Sequence, residues 1–130
     1  MKLARITDEE EHQIDQFFEE VDQIDIEKVA PEIIQGKEDV KLEESSIHEY
    51  DAVYAQLPEK NAVFGRVMLE MAEEAGIAVN YPSTAFFIMA KKNYLYYVLH
   101  EQDIPGPKTV VVASEKAGRN VQKQLDTPMI

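Results

Sequence analysis

The stretch YDAVYAQL, Tyr50–Leu57, decides the fold. It is short, apolar and nearly continuous, as expected of a strand in a parallel sheet, and Pro58 stops it. Beyond it, Phe64, Val67, Met68, Met71 and Ala75 recur at helical spacing, and Gly76 supplies a C-terminal stop. IAVNYP, Ile77–Pro82, then reads as a further short strand broken by Pro82. Strand, helix and strand in this order predict an α/β fold with a parallel sheet and right-handed crossovers.

Working back from Tyr50, the pattern is harder to read. Val40–Glu43 is expected to pair briefly, Gly36 to lie in a loop, and Ile26–Ala30 to form a strand ended by Pro31. At the start, Lys2–Thr7 reads as a buried first strand. Thr7 and Glu10 fit a capping box, and the stripe Ile14, Phe17, Phe18 and Val21 predicts a helix over Asp8–Gln23.

Working forward, a helix is expected from Ser83, carrying Phe86, Phe87 and Met89, with Leu95, Val98 and Leu99 continuing the apolar pattern. Pro105, Gly106 and Pro107 make a rigid turn, and Thr109–Ala113 reads as a β-branched strand. Ser114 caps a final helix through about Leu125, and Thr127–Ile130 opens another strand. A domain boundary is expected between Pro82 and Ala90. Residues 1–82 would form one domain, and 83–130 the start of a second, truncated one.

Composition narrows the function classes. The 130 residues hold a hydrophobic fraction of 45%, enough for a core, but no apolar run near the roughly 20 residues of a membrane helix. MKLARIT lacks the apolar stretch of a secretory signal, and zero cysteines exclude disulfides and thiolate chemistry, which fits a cytoplasmic protein. A net charge of −12 leaves little to hold nucleic acid phosphates. The pairs Glu19–Glu20, Glu43–Glu44 and Glu73–Glu74 read as solvated faces rather than metal ligands.

One stretch stands against this acidic background. AKKNYLYYVLHEQDIPGPKT, Ala90–Thr109, places Lys91 and Lys92 at the start of a tyrosine-rich helix, where the helix dipole disfavours cations. An anion is expected nearby.

Taken in order, Asp51-Ala52-Val53, Gly65, Gly76, Asn80-Tyr81-Pro82, Lys92 and Ile104–Thr109 resemble the N-terminal region of ATP-grasp ligases. Within that superfamily the chain looks most like the RimK-type carboxylate–amine ligases and the relatives of glutathione synthetase. The corresponding stretches are YDAVYAQL, AGIAVNYPSTAF, AKKNYLYYVLHEQDIPGPKT, VVVAS and DTPMI. The likeness is weak before Tyr50 and stronger after it.

The resemblance implies a Rossmann-like preATP-grasp domain over residues 1–82. It implies the beginning of the small ATP-binding subdomain over 83–130, with the chain a fragment inactive by itself. Lys92 would contact the ATP phosphates. A second nucleotide lysine and the acidic Mg²⁺ ligands would lie beyond Ile130, so no catalytic or metal-binding residue is expected within these residues. Such enzymes activate a carboxylate as an acyl phosphate, which an amine then displaces. Lysine and Mg²⁺ neutralise the transferring phosphoryl group. ATP, a carboxylate and an amine are thus the implied partners, with a homo-oligomer possible.

Two positions depart from the family pattern. Lys91 stands where Asp is usual. Gln56 stands where RimK-type ligases often carry Arg, and an amide makes no charged bidentate contact to a carboxylate. Gln56 and Arg66 are the candidates for substrate contact, Arg66 being expected to pair instead with Glu70. Asn80 is expected to fix the turn before Pro82, and His12, His48 and His100 to lie on the surface. Tyr94, Tyr96 and Tyr97 read as packing and surface residues. A receiver-like domain is the alternative, but its phospho-acceptor Asp would fall at Gln56, which cannot be phosphorylated as a carboxylate can. A non-catalytic dimerisation module is the other.

Overall fold

The computed structural model describes residues 1–10 and 12–122. The chain divides into two compact units, Met1–Ala90 and Lys91–Ile130. In the first, a four-stranded parallel sheet is ordered β2-β1-β6-β7, from β1 (Lys2–Ile6), β2 (Glu20–Gln23), β6 (Ala52–Ala55) and β7 (Ala78–Val79). Between β2 and β6 the chain makes a second, antiparallel sheet of β3 (Val29–Ile34), β4 (Lys37–Leu42) and β5 (Ser45–Ser46). Helices α1 (Ala62–Glu74) and α2 (Ser83–Ala90) complete the unit.

The core forms where the inward face of the parallel sheet meets α1 and the hairpin. Ala4, Ile6, Val53 and Ala55 alternate onto one sheet face and bury there with Met68, Leu69, Ala72, Val40 and Leu42. α2 belongs to this unit because Phe86, buried, packs against α1 at Gly65. A Cβ on Gly65 would lie 2.3 Å from Phe86 Cε1, so only glycine admits the ring. The Tyr81 ring stacks on Phe86, with centroids 5.6 Å apart.

The helix expected over Asp8–Gln23 is not formed. β1 lies inside the sheet and needs a partner on each edge, and Glu20–Gln23 pairs with it in parallel, Lys2 opposite Glu20. Arg5 fixes the path between them. Its Nη2 donates to Glu10 O at 2.6 Å and to Gln23 Oε1 at 3.1 Å, and Nη1 lies 3.1 Å from Asp15 Oδ2. Only a 3-10 turn, Gln13–Phe17, remains, and Phe17 is 68% exposed. Thr7 accepts from Glu9 N in a local turn; the capping box that does form is His12 with Asp15.

The strand expected to end at Pro31 runs through it instead. Ile26–Lys28 is a 3-10 turn, and β3 begins directly after it. Glu43 N donates to Lys28 O, so hydrogen-bonded pairs alternate from there and Pro31, opposite Val40, falls between them. Its nitrogen faces the outer edge, where β3 has no neighbour to donate to. Gln35–Gly36 closes the hairpin, Gly36 at φ 81.

In the second unit α3 (Lys92–Glu101) leads through an irregular segment to α4 (Glu115–Val121), capped by Ser114 Oγ, which accepts from Ala117 N. Thr109–Ala113 forms no strand: Val110, Val111 and Val112 are 41, 62 and 39% exposed and join no sheet among the described residues. A β-branched run makes a strand only where a neighbour supplies its ladder. The strand expected at Thr127–Ile130 lies outside the described residues. No described helix is long and apolar enough to cross a membrane.

Candidate functional site

In open parallel sheets ligands sit beyond the carboxyl ends of the strands, where the strand order reverses. Here that point lies between β1 and β6, since the chain passes from β1 to one side and returns on the other. Gln56 emerges there, exposed, its backbone N donating to Ile6 O. Tyr54, two residues back and so on the same face, meets His12 with ring centroids 4.6 Å apart.

The hydrogen bonds around His12 orient that pair. Ile14 N donates to His12 Nδ1, so the ring proton resides on Nε2, which faces the Tyr54 hydroxyl at 3.1 Å. The tyrosine oxygen then accepts, and its own proton is left to point elsewhere. Glu9 Oε2 lies 4.0 Å from the same Nε2. His12 is therefore half-buried and engaged, not a free surface residue; its partner is distant in sequence and no local motif announces it. Arg5, the cation on this face, is buried and committed to Asp15, Glu10 and Gln23. This edge can hydrogen-bond a polar group, and its cation among the described residues, Arg5, is already engaged.

Asn80 does more than shape a turn. Its Oδ1 accepts from Ala55 N and its Nδ2 donates to Ala55 O, both at 3.1 Å, extending the ladder past the last residue of β7 with a side chain. The Tyr81 hydroxyl donates to the same carbonyl at 2.7 Å, and burial pushes its phenol upward, keeping that proton in place. Together these two clamp the carboxyl end of β6, on which Gln56 is carried. Arg66 pairs with Glu70 at 3.7 Å, as its spacing predicts, and lies 5.4 Å over the Phe87 ring.

In the second unit, Lys91 occupies the N-cap of α3, with no side chain capping the helix, and Lys92 is exposed on its first turn. A cation exposed at the positive end of a helix, as Lys92 is, is unfavourable by roughly 0.3–1 kcal/mol unless an anion offsets it. The segment from Ile104 to Thr109 returns along α3 and encloses a hollow of about 430 Å³ with Tyr96, Tyr97 and His100. Lys92 is not among its lining residues. Tyr94 and Tyr97 stack at 6.1 Å and remain partly exposed, as packing and surface residues do. No group of three or more His, Asp or Glu suited to a metal ion occurs among the described residues. No protein-family model matches the chain, and no curated protein matches its sequence.

Proposed function

We propose that these residues are the N-terminal part of an ATP-dependent carboxylate–amine ligase of the ATP-grasp type, with Mg²⁺ as the accompanying ion. The observation that carries the reading is the ordering of elements into an α/β unit whose last strands lead to exposed Lys92, and then to the Pro105-Gly106-Pro107 segment. A helix start without a side-chain cap and with Lys92 exposed on its first turn supports an anionic ligand, and Lys92 is the residue whose side chain would meet the nucleotide phosphates. On this reading residues 1–90 are the Rossmann-like domain on the substrate side. Gln56 and the Tyr54–His12 pair at its sheet edge then bind the acid substrate through neutral hydrogen bonds. The acyl phosphate chemistry is supplied by ATP; the part played by this stretch is to hold phosphate and to present the acid.

The test joins this sequence to the coding sequence downstream of Ile130 and measures phosphate release dependent on both a carboxylate and an amine. Lys92→Met is expected to lower kcat by about 100-fold or more, the scale seen when one transition-state charge partner is removed. Absence of a lysine-bearing strand just after Ile130, together with no amine-dependent turnover, overturns the proposal.

A further inference from the structure

α1 carries more apolar surface than the core covers. Val63, Val67 and Met71, four residues apart, form one line along its flank, and Val63 is 67% exposed. Alternation places Ile33 on the same hairpin face as buried Val29, Val40 and Leu42, yet Ile33 is 74% exposed. The hairpin tip therefore leaves an inward-facing side chain uncovered. Beside it lie two hollows of about 170 Å³ and 200 Å³ that share Glu38, Met71 and Glu74 and so make one groove. Apolar side chains form its floor, Glu38, Glu70 and Glu74 its rim. Among the described residues no lysine or arginine lines it, and His48 borders one end. Glu70 is partly offset by Arg66, whereas Glu38 and Glu74 hold no ion pair among the described residues.

We propose that this groove docks a basic amphipathic segment of another protein, an apolar ridge flanked by lysine or arginine. The run from Val63 to Met71 measures about 12 Å along the helix axis, so a ridge of roughly two helical turns matches it. Charge selects the partner. A second copy would meet this surface across a two-fold axis, bringing the rim glutamates against their own equivalents on a chain of net charge −12. A cationic segment instead finds its lysines opposite three carboxylates and its apolar ridge over Val67, Met71 and Ile33.

The experiment uses the 130-residue chain and a fluorescent peptide of about 14 residues in which leucines recur at helical spacing among lysines. A peptide of the same composition in scrambled order and a glutamate counterpart serve as controls. Binding is read by anisotropy at low and high salt, with the fold of each variant checked by circular dichroism. Only the patterned basic peptide is expected to bind. Ile33→Ser with Val63→Ser, both exposed positions, should weaken it about 10-fold, a loss on the scale of interface anchors. Glu70→Lys with Glu74→Lys should do the same, while Asp8→Lys with Glu20→Lys, equal in charge but outside the groove, should change it less than about twofold. Equal losses from both charge reversals, equal binding of the scrambled peptide, no binding of the patterned one, or self-association that the Ile33 and Val63 changes abolish would each overturn the proposal.

Discussion

Asn80 shows how much can rest on one side chain. Its amide meets both backbone groups of Ala55, a residue with no exposure; alanine would leave the Ala55 N–H unmet, while the carbonyl would keep its bond from the Tyr81 hydroxyl. Asn80→Ala is expected to cost about 1–3 kcal/mol, the penalty for leaving buried polar groups unmade, and Asn80→Asp no less, since it exchanges a donor for a charge facing a carbonyl. Urea unfolding midpoints measure both. Gly65 is constrained by space instead. Gly65→Ala should lose about 1–3 kcal/mol because its methyl meets the Phe86 ring, and Gly65→Ala with Phe86→Leu should lose less than the two singles together.

Asp22 gives the acid limb of stability a named contributor. The hydrogen bond from Lys2, then that from Tyr50, holds its carboxyl below the usual aspartate range. A depressed folded value means that its contribution is present above the unfolded carboxylate range and is lost as pH falls through the lowered one. The pair is partly exposed, so the slope will be modest. Asp22→Asn should flatten the fall in stability between neutral and acid pH, measured by urea titration at successive pH values; an unchanged slope would exclude Asp22 as a contributor.

Among the elements, the ends of α1 and α3 form a natural comparison. After α1, Gly76 N donates to Glu73 O and Ile77 N to Ala72 O; after α3, Asp103 N donates to His100 O and Ile104 N to Leu99 O. Both are Schellman stops, with Gly76 at φ 77 and Asp103 at φ 54. Gly76→Ala should therefore destabilise by about 1–2 kcal/mol although nothing lies near the added methyl. Asp103→Gly should stabilise α3 by up to about 1 kcal/mol, removing both the left-handed strain and an acid at the negative end of the helix. Thermal melts monitored by far-ultraviolet circular dichroism should move in opposite directions.

The same elements explain what the sequence could reveal. β1, β6, α1, β7 and α2 were legible because period and breaker agree in each: Pro58 and Gly76 punctuate runs whose spacing is unmistakable. The segment from Asp8 to Gln23 misled because Phe17 and Val21 satisfy a helical stripe equally well when one is exposed and the other lies in a strand. What decides between them is the open edge of β1, a demand made by a distant element. The candidate site divides likewise. Lys92 and the Arg66–Glu70 pair can be read from neighbours in sequence. The Tyr54–His12 contact and the Asn80 clamp join residues 42 and 25 positions apart, and no local pattern encodes them.

At the scale of the molecule, all seven described strands and the core cluster fall within residues 1–90. That stretch expressed alone should unfold in a single cooperative step by circular dichroism. A broad, non-cooperative melt would mean that it depends on residues 91–130 for its stability. Its acidic surface should also keep it dispersed at low salt.

Pro31 has a further consequence at this scale. A six-residue strand at the margin of a sheet, with Ile33 and Ile34 near its end, is the kind of template on which fibres nucleate. The pyrrolidine ring removes one donor from that margin, so an arriving strand cannot complete its first rungs. The residue that looks like a break in the strand is a guard against polymerisation.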